Sequence, residues 1–211
     1  MSYSIKEVQY TLQGEGYHTG RPAIFCRFTG CNLWSGLEED RYSAICQFCD
    51  TDFRGTEGDG GGIFGSAEML ADHLFQFWPK NPTSNPFVVC TGGEPFLQLD
   101  QKLVDAFHER QFEIAVETNG TLHPPENIDW LCVSPKAGSE LVQKSGNELK
   151  LVYPQGSFSP EQFIHLDFLH FFLQPMDGPD IKKNTKQSIE YCQQHPHWRL
   201  SLQTHKFLGI P

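Results

Sequence analysis

Apolar residues in this chain gather in short runs that stop at turn residues. AIFCRF (23–28), FVVC (87–90), FEIAVE (112–117), DWLCVS (129–134), ELKLVY (148–153) and FLHFFL (168–173) all fit that description. Runs this short predict strands, several of them buried on both faces. RLSLQ (199–203) alternates and predicts one strand more. Three segments carry the helical period instead. SAEMLADHLFQFW starts at Ser66, a capping residue with Glu68 in the first turn; QLDQKLVDAFHER and IKKNTKQSIEYCQQ follow later. In the second, Leu99, Leu103, Val104, Ala106 and Phe107 make one apolar face.

Strands alternating with helices imply a parallel sheet with right-handed crossovers. Such crossovers usually take a dozen or more residues. TNGTLHPPENI (118–128) holds two prolines and little room for a helix, and the segment after Ser134 is similarly thin. The pattern therefore predicts an α/β fold, a partial parallel barrel of about six strands with about three full helices. Residues 1–211 read as a single domain without internal repeats. An incomplete helical layer leaves sheet surface to cover, which favours a homodimer.

In parallel α/β architectures the chemistry gathers at the carboxyl ends of the strands. FVVC runs into TGGEP (91–95), FEIAVE into Thr118-Asn119-Gly120, and LCVS into Pro135-Lys136. Residues 168–173 run into Gln174-Pro175-Met176-Asp177. The first apolar run leads into CNLWSGLEEDRYSAICQFCD (31–50), which holds Cys31, Cys46 and Cys49. GTEGDGGGIFG (55–65) then reads as a flexible loop.

Charge and cysteine usage narrow the chemistry. Lys+Arg 16 against Asp+Glu 26 gives a formal charge of −10, which disfavours a sequence-independent grip on nucleic acid. The first residues lack the basic start and apolar run of a signal peptide, and no stretch reaches the roughly 20 apolar residues of a membrane span. The expectation is a cytoplasmic protein with no membrane or nucleic-acid partner. In that reducing setting clustered cysteines bind metal or do redox chemistry. Cys26, Cys90, Cys132 and Cys192 lie in or beside apolar runs and read as packed small hydrophobes. Cys31, Cys46 and Cys49 suit two chemistries. One is a zinc site with His73 or Asp50 as fourth ligand. The other is a cubane iron–sulfur cluster, one thiolate per iron, whose fourth iron stays open.

Cys46-Gln47-Phe48-Cys49 together with TGGEP resembles the radical S-adenosylmethionine (SAM) superfamily. Fourteen residues, Asn32 to Ile45, separate Cys31 from Cys46, an expanded spacing for that superfamily. With that expansion, LQGEG (12–16), FCRFTGCNLW (25–34), CDTDF (49–53), ETNG (117–120), SPK (134–136), QPMD (174–177) and LQTHK (202–206) make the chain similar to the 7-carboxy-7-deazaguanine synthase family. The matches fall in order along nearly the full length.

The resemblance implies a carbon–nitrogen lyase of 7-deazapurine (queuosine) biosynthesis. Its substrate would be 6-carboxy-5,6,7,8-tetrahydropterin, and its products 7-carboxy-7-deazaguanine and ammonia. The radical would come from SAM cleavage, with electrons from a donor such as flavodoxin or ferredoxin. Cys31, Cys46 and Cys49 would hold a 4Fe–4S cluster, and Thr51 would meet Mg²⁺. SAM would lie against Phe48, Cys49, Asp50, Gly92, Gly93, Glu94, Ser134, Pro135, Lys136, Gln174, Pro175, Met176 and Asp177. The pterin would meet Leu12, Gln13, Gly14, Glu15, Arg27, Thr91 and Glu117, with Arg27 suited to grip its carboxylate bidentately. A glycyl-radical-enzyme activase and a zinc-stabilised binding module are the competing readings.

One expectation comes from chain length alone. If RLSLQ runs parallel to the other strands, it ends at the mouth of the barrel near His205. Residues 206–211, if extended, reach at most about 20 Å, enough to cross a small barrel. Phe207, Leu208 and Ile210 would anchor this tail, and the Pro211 carboxylate would meet the donor edge of the pterin.

Overall fold

The computed structural model describes residues 2–80 and 83–211. Among them lie β1 (Tyr3–Leu12), β2 (Pro22–Phe28), β3 (Gly62–Phe64), α1 (Ala67–Phe75), β4 (Phe87–Gly92) and α2 (Gln101–Glu109). The chain continues through β5 (Glu113–Thr118), β6 (Trp130–Val133), β7 (Ser145–Tyr153), β8 (Asp167–Pro175), α3 (Ile181–Gln194), β9 (Trp198–Leu200) and α4 (Thr204–Leu208). One sheet takes all the strands in the order β3-β1-β2-β4-β5-β6-β7-β8-β9. From β2 to β9 each neighbouring pair is parallel. β1 pairs antiparallel with both β2 and β3.

Every expected apolar run is a strand here, and the three expected helices are present. Ser66 caps α1 by accepting from Met69 N, and Asp100 caps α2 by accepting from Leu103 N. Residues 118–128 and 134–144 hold no helix, as their length and prolines require. β1 and β3 were not expected. The tail also differs from its expectation. It turns into α4 instead of running extended, and Phe207 and Leu208 are 76% and 63% exposed, so they anchor nothing in this chain.

The sheet curls, and one contact proves it. Tyr17 N, just beyond β1, donates to Glu148 on β7 at 3.2 Å, although four strands intervene in the order. In a flat sheet at about 4.8 Å per strand those residues would lie more than 20 Å apart. The result is a partial barrel. Alternation along each strand then sorts the side chains. Val88, Cys90, Ile114, Val116, Leu149 and Leu151 point outward into one core with Leu70, Leu74, Leu103 and Phe107 of α1 and α2. Truncating fully buried Leu103 to Ala would cost about 2–5 kcal/mol. The inner face is apolar near the strand starts, where Ala23, Phe87, Val89 and Ala115 cluster. Beyond them its side chains are polar and border a cavity.

Candidate active site

The cavity lies at the carboxyl ends of the parallel strands and has a volume of about 430 Å³. Cys31, Cys46, Phe48, Cys49, Asp50 and Thr51 line it together. The expanded segment between Cys31 and Cys46 folds into one 3-10 turn over Glu38–Ser43. Arg41 in that turn fastens the cysteine loop. Its guanidinium donates to Gln47 O at 2.9 Å and Cys49 O at 3.0 Å, and it covers the Trp34 ring at 4.0 Å. The neighbouring Cys46 thiol holds the Cys49 thiol below its ordinary value and is itself pushed up.

A compact mononuclear zinc site does not fit these positions. Among the described residues, no three His, Cys, Asp or Glu side chains converge as one ion requires. His73 is engaged elsewhere, 2.8 Å from Gly60 O. Three thiols bordering one cavity fit a polynuclear iron–sulfur group, which takes one thiolate per iron.

The TGGEP turn shows why it needs its residues. A Cβ on Gly92 would sit 2.2 Å from Phe28 O, and one on Gly93 1.9 Å from Gly30 O. Only glycine lets the end of β4 pass that close to the backbone after β2. Gly92 and Gly93 line the cavity, whereas Glu94 turns away from it. The Glu94 carboxylate is fully buried and accepts from Thr118 Oγ1 at 2.8 Å, Asn119 N at 2.8 Å and Phe96 N at 3.1 Å. Asn119 in turn donates to Asn32 Oδ1 at 2.9 Å, beside Cys31. Glu94 thus braces the ends of β4 and β5 against the cysteine segment.

The remaining expected residues divide in the same way. Ser134, Lys136, Gln174, Pro175 and Asp177 line the cavity, whereas Pro135 and Met176 do not. Lys136 is part-buried and donates to Ser134 O at 2.6 Å; desolvation lowers its pKa, and the neighbouring Cys46 opposes that. Leu12, Gln13, Gly14, Glu15, Arg27, Thr91, Glu117 and Pro211 all line the cavity. Arg27 is aimed by Glu7, whose carboxylate accepts from its Nε at 2.7 Å.

Sequence reasoning missed Lys150. Its ammonium lies 2.5 Å from Glu15 and 3.2 Å from Glu117, inside the barrel. Burial would raise the Glu15 pKa, but Lys150 outweighs it, with help from Gln203, and holds the carboxyl down to about 2. Thr91 Oγ1 and Gln13 Nε2 also donate to Glu117, at 3.3 and 3.2 Å. The tail contributes too. Thr204 N donates to Gly14 O at 2.9 Å, and Gln203, His205 and Lys206 line the cavity. Thr11 Oγ1 lies 3.4 Å from Pro211 O.

No family model matches the chain. Individual relatives do. A 7-carboxy-7-deazaguanine synthase of Caulobacter vibrioides is 59% identical over 211 residues, and one of Bradyrhizobium diazoefficiens is 60% identical over 210. Both alignments cover 100% of this chain and of the relative. The crystal structure of QueE from Escherichia coli superposes with a TM-score of 0.67 at 27% identity, covering 96% of this chain and 94% of that one. Identity of that extent, end to end, places the chain in the 7-carboxy-7-deazaguanine synthase family.

Proposed function

We propose that the chain, as one radical SAM domain over residues 1–211, converts 6-carboxy-5,6,7,8-tetrahydropterin to 7-carboxy-7-deazaguanine with loss of ammonia. The observation that carries this reading is the common cavity. Three cysteines border it together with the ends of the parallel strands and the buried Glu15–Lys150–Glu117 group.

Cys31, Cys46 and Cys49 would hold a 4Fe–4S cluster. When bound, that cluster with SAM supplies a carbon radical able to take hydrogen from an unactivated carbon. The chain's own residues bind and orient. Gly92 and Gly93 leave open backbone for the methionine end of SAM. Lys136 is fixed by Ser134 beside the thiols, and Phe48 offers a ring face to adenine. Asp50, Gln174 and Asp177 present polar groups to the same cavity. Glu94 braces the strand ends from behind, and Pro135 and Met176 lie in the SPK and QPMD turns beside the residues that line the cavity.

Arg27, which also borders the cavity, offers its guanidinium to the pterin carboxylate. Glu15 and Glu117 accept from the donor edge of the pterin, with Gln13, Gly14, Thr91, Leu12 and Pro211 around it. The Thr51 hydroxyl is a single protein ligand for Mg²⁺, an ion that keeps waters and takes substrate oxygens. The electron donor is a flavodoxin or ferredoxin, the assembly a homodimer and the compartment the cytoplasm. No helix among the described residues is long and apolar enough to cross a membrane.

The test is anaerobic reconstitution, iron and sulfide analysis, and incubation with the pterin, SAM, reductant and Mg²⁺. The expected result is four irons per chain and a deazaguanine product. Cys46→Ala should lose the cluster and SAM cleavage together, and Thr51→Ala should raise the Mg²⁺ requirement with the cluster intact. An untouched pterin would overturn this assignment of substrate.

A further inference from the structure

The strand β1 changes phase once. Ile5 pairs with Phe28 and Glu7 with Arg27, so Lys6 is an extra residue between them without a partner on β2. Tyr3 and Ile5 before this bulge, and Val8 after it, pack into the outer core. Lys6, Glu7, Gln9 and Thr11 border the cavity instead. In an unbroken strand Lys6 and Glu7 would point to opposite faces. The extra residue shifts the alternation by one and brings both inside. Bulges sit beside functional sites for this reason, because they re-aim a side chain.

Each of the two side chains holds a residue of another segment. Glu7 Oε1 accepts from Arg27 Nε at 2.7 Å, and its Oε2 accepts from Gln9 Nε2 at 3.2 Å. With Nε taken, Arg27 keeps one bidentate edge for a carboxylate, the Nη1–Nη2 pair. The Lys6 ammonium is nearly buried and lies 3.1 Å from Asp52 and 3.1 Å from Glu57. Asp52 follows Thr51, and both border the cavity. Glu57 belongs to the glycine-rich loop, which is seated on the bulge. Gly58 N donates to Lys6 O at 3.0 Å, and Val8 N to Asp59 O at 2.8 Å.

Thr51 and Asp52 offer oxygen donors, and among the described residues no three acidic side chains converge. That suits an ion such as Mg²⁺, which keeps most of its waters. We propose that the bulge at Lys6 is a positioning device for the pterin carboxylate: Glu7 fixes the Arg27 guanidinium, and Lys6 fixes the Thr51–Asp52 segment that meets Mg²⁺. Glu7 and Lys6 are positioning residues, acting through Arg27 and Thr51. The proposal rests on the pterin and Mg²⁺ readings above. It makes the carboxylate the group by which the site tells its substrate from other pterins.

The sign of the Glu7 effect separates this role from plain electrostatics. A carboxylate beside Arg27 repels an incoming carboxylate, so its removal would tighten binding if charge alone mattered. If Glu7 orients Arg27, its removal weakens binding, since the ligand must then order a free guanidinium. Ordering one long side chain changes affinity by about 3- to 10-fold.

The experiment uses the reconstituted protein with SAM and Mg²⁺ but no reductant, so that nothing turns over. The probes are 6-carboxypterin, an oxidised pterin whose C6 has no hydrogen to lose, and pterin itself, which lacks the carboxylate. Both are followed by their fluorescence. Wild type should bind 6-carboxypterin more tightly than pterin. Glu7→Met should lose about 3- to 10-fold of the 6-carboxypterin affinity, with pterin affinity within about two-fold of wild type. Glu7→Gln, whose amide oxygen still accepts from Arg27 Nε, should restore it. Lys6→Met should raise the Mg²⁺ concentration for half-maximal 6-carboxypterin binding by about 3-fold, with binding in EDTA unchanged.

Unchanged or tighter 6-carboxypterin binding in Glu7→Met would overturn the proposal. So would equal losses of both pterins in that variant, or a wild-type Mg²⁺ titration in Lys6→Met. Wild-type protein that binds neither pterin, or both alike, overturns the carboxylate reading of the site and the proposal with it, a failure recognised without any variant.

Discussion

Lys206 Nζ lies 2.7 Å from the Asp50 carboxylate, and the same ammonium also meets Asp177. One cation of α4 thus joins the residue after Cys49 to the chain beyond β8. The three side chains are 39–45% exposed, so each pair is worth only about 0.2–1 kcal/mol. Lys206→Met should weaken SAM binding by about two- to five-fold, measured by calorimetry on the reconstituted protein, with iron content unchanged. Wild-type affinity in this variant would separate the tail from the SAM wall.

The same contact sets a pH dependence. The hydrogen bond from Lys206, and after it one from Gly178 N, holds the Asp177 carboxyl below its usual value. A depressed carboxylate stabilises the folded state fully above the unfolded pKa of about 4 and loses that contribution as pH falls through the lower folded value. Hydrogen-exchange protection of residues 203–208 should therefore hold above about pH 5 and decline below about pH 4. In Lys206→Met that decline should shrink; an identical profile would exclude this pair as its cause.

Glu94 sits in a motif that reads as a binding element, yet its carboxylate is turned inward. Glu94→Ala would leave Thr118 Oγ1, Asn119 N and Phe96 N without their acceptor. At about 1–3 kcal/mol per unsatisfied group, partly relieved by water, the expected loss is about 3 kcal/mol. For a chain of this size that lowers Tm by about 6–12 °C. Glu94→Gln, which keeps one carbonyl acceptor, should lose less. A Tm within about 2 °C of wild type for the alanine variant would show that Glu94 braces nothing.

The sequence made the parallel strands legible because their outward faces pack on helices and read as apolar runs. β1 escaped because Lys6, Glu7 and Gln9 break its pattern. Lys6 is nevertheless nearly buried, neutralised by Asp52 and Glu57, partners 46 and 51 residues away. The cavity-lining residues carried by short motifs were legible, since each motif ends a strand. The interior charges were not. Glu148 and Lys150 stand within ELKLVY, where a strand is easily read but a polar inner face is not. Two of their partners, Glu15 and Tyr17, follow β1 across the sheet, and only the curl brings them near. The zinc alternative likewise needed geometry to be set aside, because spacing alone does not say whether three thiols converge.

Lys150 gives the sharpest test of that interior. Its ammonium stands between two carboxylates, 2.5 Å from Glu15 and 3.2 Å from Glu117. Burial alone would lower its pKa, but Glu117 and Glu15 raise it well above the ordinary value, so the cation persists throughout the working pH range. Lys150→Met would leave two carboxylates sharing one desolvated space with no counter-charge. Breaking a buried ion pair from one side typically costs about 3–5 kcal/mol, and this removal strands two partners. The expected outcome in denaturant unfolding is a loss of about that size, with pterin affinity lost as the carboxylates take up protons or move apart. Glu15→Gln added to Lys150→Met removes one stranded charge and should recover about 1–3 kcal/mol, a coupling visible only in the full double-mutant cycle. Additive losses would mean that the two groups act separately and that Glu117 alone holds the lysine in place.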